Sequence, residues 1–228
     1  MNKDKRKKKE LLLFSILFWT ILLVISIVEY NALDYGFNSP LMLVFWLASM
    51  FTITSWIICK NLPAGAKKHR KRWFIPSNNN VDASKIRNEI KKQNQQAVKI
   101  AVIWAIFLLF EGLFIHFNIV DQRFIILGML ILRIADRLFV LIWCPFGAIM
   151  KNKCCNECRI YGWDQFMLNS PLVFYPSIYT YTLLILSIIP FIEWEISVKR
   201  HPERFTQISN AAIRCPNCHE VCGRCRNK

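Results

Sequence analysis

Apolar residues in this chain are gathered into long blocks rather than spread at the period of a half-buried soluble element. Residues 11–28 and 41–59 carry no charge, and residues 100–117 are broken only by Glu111. Two further blocks follow, residues 124–143, which contain Arg133, Asp136 and Arg137, and residues 172–192, framed by Pro171, Pro176 and Pro190. A helix needs roughly 20 mostly apolar residues to cross about 30 Å of hydrocarbon. Lipid cannot satisfy exposed backbone groups, so such blocks cross as helices. The pattern predicts an all-α, polytopic transmembrane bundle of about five hydrophobic helices with small cysteine-rich polar segments.

The first block is too long for the apolar region of a signal peptide. The residues after it, Glu29, Tyr30 and Asn31, offer no small-residue cleavage site. It reads as a retained anchor. Between the second and third blocks, residues 83–96 are rich in Lys, Asn and Gln and contain neither Gly nor Pro. Ile86 and Ile90 there share one helical face, which predicts a helix leading into the third block. The chain therefore divides into a basic N-terminus (1–10), a first hairpin (11–59), a basic loop (60–99) and a second hairpin with internal charges (100–143). A first cysteine segment (144–170), the fifth apolar block (171–192) and a cysteine-rich tail (193–228) complete it.

A net charge of +15 raises the question of nucleic acid. The cations, however, stand beside the apolar blocks, where membrane topology places them, so no nucleic-acid partner is expected. Six Lys or Arg precede the first block, none lie in residues 30–40, eleven lie in 60–99 and one in 118–123. That asymmetry places the N-terminus and the 60–99 loop in the cytoplasm, with the protein integral to the cell membrane and lipid as its neighbour. The run from Lys67 to Arg72 reads as a stop-transfer signal with a solvated face. Residues 144–170 then carry three cations and residues 193–228 carry seven, so both segments look cytoplasmic. They cannot both be cytoplasmic if the fifth block crosses. Its prolines favour a re-entrant element, but its length favours a crossing, and five crossings are expected.

Arg133, Asp136 and Arg137 fall at i, i+3 and i+4 and so occupy one stripe of a helix. Charges at mid-bilayer pair with one another or line a cavity. With a short loop joining blocks three and four, an antiparallel hairpin would set Glu111 within roughly 5 Å of the depth of Arg133. Glu111, Arg133, Asp136 and Arg137 then sum to zero charge. They form either a packing network or a cofactor-binding site for an anionic headgroup or a quinone-like, lipid-soluble molecule. His116 lies close enough to join either.

Eight of nine cysteines form two sets of four, leaving Cys59 as a packing residue. The first set is Cys144, Cys154, Cys155 and Cys158. The second is Cys215, Cys218, Cys222 and Cys225, spaced C-x2-C-x3-C-x2-C. A two-residue turn aims both sulfurs of a C-x2-C pair at one ion. Zinc knuckles usually separate their pairs by a dozen or more residues, whereas this density of thiols resembles the runs that wrap an iron–sulfur cluster in ferredoxins. The order differs from the ferredoxin order. The alternative to metal is disulfide formation on an oxidising side. No phosphate loop, nucleophile elbow or His-Glu-x-x-His helix is present. The expected function is that of an iron–sulfur redox or electron-transfer component with a redox partner. The alternatives are a scaffold with structural zinc, or a transporter or accessory subunit using the intramembrane charges.

Overall fold

The computed structural model describes residues 3–29, 40–57, 68–77, 81–121, 123–152, 157–214 and 217. Helices are the regular structure among those residues, with α1 (Lys3–Val28), α2 (Pro40–Ile57), α3 (Ala83–His116) and α4 (Arg123–Leu141) followed by two short helices, α5 (Pro145–Ile149) and α6 (Asp164–Asn169), and by α7 (Ile178–Arg200). Tight 3-10 turns at Lys71–Trp73, Tyr161–Trp163, Ser170–Phe174, Pro202–Arg204 and Ala211–Ile213 link them. Among the described residues the one β-type contact is an antiparallel bridge between Pro76 and Asn210.

Local chemistry sets the helix ends. Asp82 caps α3 by accepting from the Ser84 N–H at 3.1 Å, and the expected 83–96 helix is continuous with the third apolar block. At its other end Asn118 adopts a left-handed conformation (φ 55), and the Ile119 N–H reaches back to the Phe114 carbonyl at 2.9 Å. This is the Schellman closure for which Asn is a tolerated substitute for Gly. Ser177 and Thr180 form a reciprocal capping box at the start of α7. The fifth apolar block is thus divided. Residues 172–174 belong to a 3-10 turn, and the helix begins at Ile178 and runs to Arg200, eight residues past the expected end of the block.

Four helices, α1, α2, α3 and α7, are long and apolar enough to cross a membrane. About five were expected, and the difference is α4. Its three charges set it apart from the others, and it is amphipathic, burying Ile125, Ile126, Met129, Leu130 and Arg133 along one stripe. That stripe packs chiefly against α1, while α2 and α6 pack chiefly against α7. One core cluster joins Trp19 and Leu22 of α1, the first turns of α2, the buried stripe of α4, Leu172 and Leu183. The Ser170–Phe174 turn packs on α3, α4 and α7 together.

These contacts fix direction. Trp46 bonds Thr182 near the start of α7, whereas Trp56 at the end of α2 clusters with Trp194 and Val198, so α2 and α7 run parallel. Ile90 of α3 joins that same cluster, and Gly112 near the end of α3 meets Phe174, so α3 runs the opposite way. Arg133 meets Asn169 while Ile126 and Met129 pack with Leu172 and Leu183, so α4 runs parallel to α7. The end where α2, α4 and α7 finish and α3 begins is called proximal below.

At the proximal end the Trp194 ring lies directly on the backbone of Gly162, where a Cβ would overlap the ring and its own Cβ. The ring cannot withdraw, because its Nε1–H donates to the Arg159 carbonyl at 2.7 Å. Gly162→Ala is therefore expected to destabilise by about 1–3 kcal/mol through overpacking. The measurement is the thermal midpoint of the detergent-solubilised protein, and Gly128→Ala, which meets nothing within 4 Å, serves as the control.

Candidate functional site

The thiol segment begins where α4 ends. Cys144 is the N-cap residue of α5, and Pro145 occupies the first helical position, where its missing N–H costs nothing. After α5 the chain turns through Lys151, in a left-handed conformation (φ 54), with the Asn152 N–H reaching the Gly147 carbonyl. This reversal returns Cys158 to the neighbourhood of Cys144. Burial pushes the Cys158 thiol up to about 12; the Ile160 N–H, Asn152 and Arg159 act against that rise, while Cys144 adds to it. Cys154 and Cys155 of the first set, all of Cys215, Cys218, Cys222 and Cys225, and Cys59 lie outside the described residues. Among the described residues no three His, Cys, Asp or Glu side chains gather to hold an ion.

Arg159, immediately after Cys158, is the anchor of this segment. Its guanidinium makes a bidentate pair with Glu195 of α7, at 2.7 and 2.6 Å, and its Nε donates to Asn94 of α3 at 2.9 Å. Trp163 Nε1 donates to the same Glu195 carboxylate at 2.6 Å. Arg159 keeps only 5% side-chain exposure and ties three elements together. The signal in the sequence was a pair of acidic residues, Glu193 and Glu195, directly after an apolar run.

The tail docks on the same end. Ser77 N–H donates to the Ser209 carbonyl at 2.9 Å and Ala211 N–H to the Ile75 carbonyl at 2.8 Å, while Asn210 Nδ2 reaches the Lys68 carbonyl at 3.1 Å. Gln207 Nε2 donates to Glu157 at 2.6 Å, beside Cys158. Arg214, beside Cys215, donates to the Gln207 carbonyl at 2.9 Å and to Ser77 at 2.6 Å. His69, expected on a solvated face, is instead stacked on Phe205 at 4.6 Å and set edge-on to Trp194 at 5.1 Å. Its Nδ1 lies 3.0 Å from the Arg204 carbonyl. A small cavity lined by Trp56, His69, Arg70, Glu193, Trp194 and Phe205 lies between these groups.

Glu111 and the charges of α4 are arranged differently from the expected hairpin network. Because the Ser170–Phe174 turn packs on both α3 and α4, Glu111 is not the partner of Arg133. Glu111 lies beside Gly112 and the Phe174 ring, and its buried Oε2 has no hydrogen-bond partner among the described residues. Arg133 donates to Asn169 Oδ1 at 2.8 Å, and its guanidinium sits 5.0 Å from the Trp19 ring centre and 5.6 Å from that of Phe45. These cation–π contacts replace some of the lost hydration. Asp136 lies 3.7 Å from Arg137 and against the Asp164 carboxyl. Arg137 in turn faces Asp136, Asp164 and Tyr161. The second acid of the cluster is therefore Asp164, which the sequence reading did not select because its partners lie on another helix. His116 packs edge-on against Phe117, at the distal end.

Three outcomes follow from this geometry. Glu195→Ala leaves Arg159 buried without its counter-ion and is expected to cost about 3 kcal/mol, the low end for a broken buried pair because Glu195 keeps 33% exposure. Glu195→Gln retains one acceptor and should lose less; chemical denaturation in detergent measures both. Asn169→Leu removes the hydrogen-bond acceptor of Arg133 and is expected to cost about 3 kcal/mol in the same assay. A thiol titrating near 12 is almost wholly protonated at pH 8, so Cys158 of metal-free protein should alkylate roughly a thousandfold more slowly than an ordinary exposed cysteine. Its rate should rise about tenfold per pH unit above that, as peptide mass mapping of iodoacetamide-treated protein would show. No family model, curated protein or solved structure matches this chain.

Proposed function

We propose that this chain is an integral membrane protein of the cell membrane whose cysteines hold a metal centre through thiolates, an iron–sulfur cluster that passes electrons to a redox partner. The observation that carries this reading is the return of Cys158 to the neighbourhood of Cys144 on a segment braced by Arg159 and Glu195. A thiolate ligand must lose its proton, and a centre of positive metal charge is what offsets the burial that holds Cys158 protonated. The compact spacing of Cys215, Cys218, Cys222 and Cys225 suits a cluster better than separated zinc knuckles. In this reading Arg133, Asp136 and Arg137, with Asp164, stabilise the bundle or a lipid-soluble electron carrier at its wall, and Glu111 on α3 offers a second carboxylate there. Membrane lipid surrounds the apolar faces.

A second reading, a scaffold with structural zinc, draws on the two C-x2-C pairs of the tail. Protein purified without oxygen separates the two. The cluster reading expects iron with acid-labile sulfide and a broad visible absorption that bleaches on reduction. Colourless protein with stoichiometric zinc selects the scaffold, and protein with neither metal overturns both. Cys144→Ser and Cys158→Ser should each lower the metal content, whereas Ser187→Ala, buried in α7 away from the thiols, should leave it unchanged.

A further inference from the structure

The thiol segment and the tail are fastened to one another and to the 68–77 loop, and all three stand at the proximal end. Glu157 accepts from Gln207, Gln207 accepts from Arg214, and Arg214 and Asn210 bond residues 77 and 68. Lys68 Nζ also reaches the Asn217 carbonyl at 3.2 Å, between Cys215 and Cys218. Between these fastenings, residues 164–200 leave the proximal end and come back to it. Trp163 is level with Glu195 and Phe191. From there α6 descends along α7, Ser170 meets Trp104, and Phe174 meets Gly112 near the distal end of α3. At Ile178 the chain turns, and α7 carries it back.

Charge follows the same division. Of 30 Lys and Arg residues, only Arg123, Arg133 and Arg137 lie outside residues 1–10, 60–99, 144–170 and 193–228. Trp19 and Leu22, in the C-terminal half of α1, cluster with Leu41, Met42 and Phe45 in the first turns of α2, toward the distal end, so the basic N-terminus leads into α1 from the proximal side. Lys- and Arg-rich segments are retained in the cytoplasm. The conflict posed by a crossing fifth block disappears once that block returns to the side it left.

We infer that residues 164–200 form a re-entrant hairpin, so that the first cysteine segment, the C-terminal tail and the N-terminus all face the cytoplasm. The inference rests on the thiolate reading for its consequence. In a reducing compartment the cysteines stay available as ligands instead of pairing as disulfides. Metal and electrons then reach both cysteine sets from soluble cytoplasmic donors, not from across the membrane.

The test uses the full chain carrying either green fluorescent protein or alkaline phosphatase after its last residue, and phosphatase inserted after Asn118 in the distal turn. The expected result is a fluorescent C-terminal fusion, an inactive C-terminal phosphatase and an active phosphatase at the distal turn. An active C-terminal phosphatase with a dark fluorescent fusion overturns the inference and restores five crossings. Trypsin provides the second measurement on the unmodified fold. A C-terminal epitope tag should be removed in inside-out vesicles and protected in right-side-out ones, and the reverse overturns the inference. Absence of metal in the same fluorescent protein would overturn the thiolate reading alone, leaving the sidedness standing.

Discussion

The paired carboxylate and guanidinium of Glu195 and Arg159 hold the chain to its fold-back. An ion pair taken out of water gains only if the remaining donors and acceptors are also satisfied. Here each guanidinium nitrogen of Arg159 has a partner, and Trp163 shares the carboxylate. The backbone carbonyl of Arg159 is held as well, by Trp194. One residue therefore ties α3, α7 and the thiol segment. Everything that follows along the chain, from the descent of α6 to the return of α7, is anchored at that knot.

A second consequence of the fold-back lies deeper. The descending segment places Asn169 against Arg133 and Asp164 against Asp136 and Arg137. Without it, α4 would present two arginines and one aspartate to an apolar bundle, a cost of several kcal/mol. With it, the cluster has two acids for two bases, and Trp19 and Phe45 supply ring faces to the most enclosed guanidinium. The re-entrant segment is thus both held by the charges and the reason those charges are tolerated. The proximal cap repeats the theme with neutral groups, as Asn210 and Gln207 stitch the tail to loops far away in sequence.

Much of this was legible before any coordinates. Long apolar runs imply helices in lipid, and the four blocks with at most one internal charge became the four helices able to cross among the described residues. The structure shows helix ends set locally, with Asp82, Ser177 and Asn118 starting or stopping helices by chemistry confined to a few residues. The fifth block was misplaced because hydropathy alone cannot tell a 3-10 turn from the first turn of a helix. The Glu111 pairing was misread because loop length was taken to dictate helix contact, and the Ser170–Phe174 turn came between.

The sequence by itself determined the all-helical class with helices long and apolar enough to cross a membrane, the asymmetry of charge and the identity of the thiols, since hydrophobicity, charge and sulfur are properties of residues in place. Only the tertiary structure decided which carboxylates answer which arginines, and that the chain leaves and re-enters at one end. Arg159 and Glu195 stand 36 residues apart, and Asn210 and Lys68 stand 142 apart. No local rule connects positions at that separation, because such contacts are selected by the cost of leaving each polar group unpaired in a packed interior.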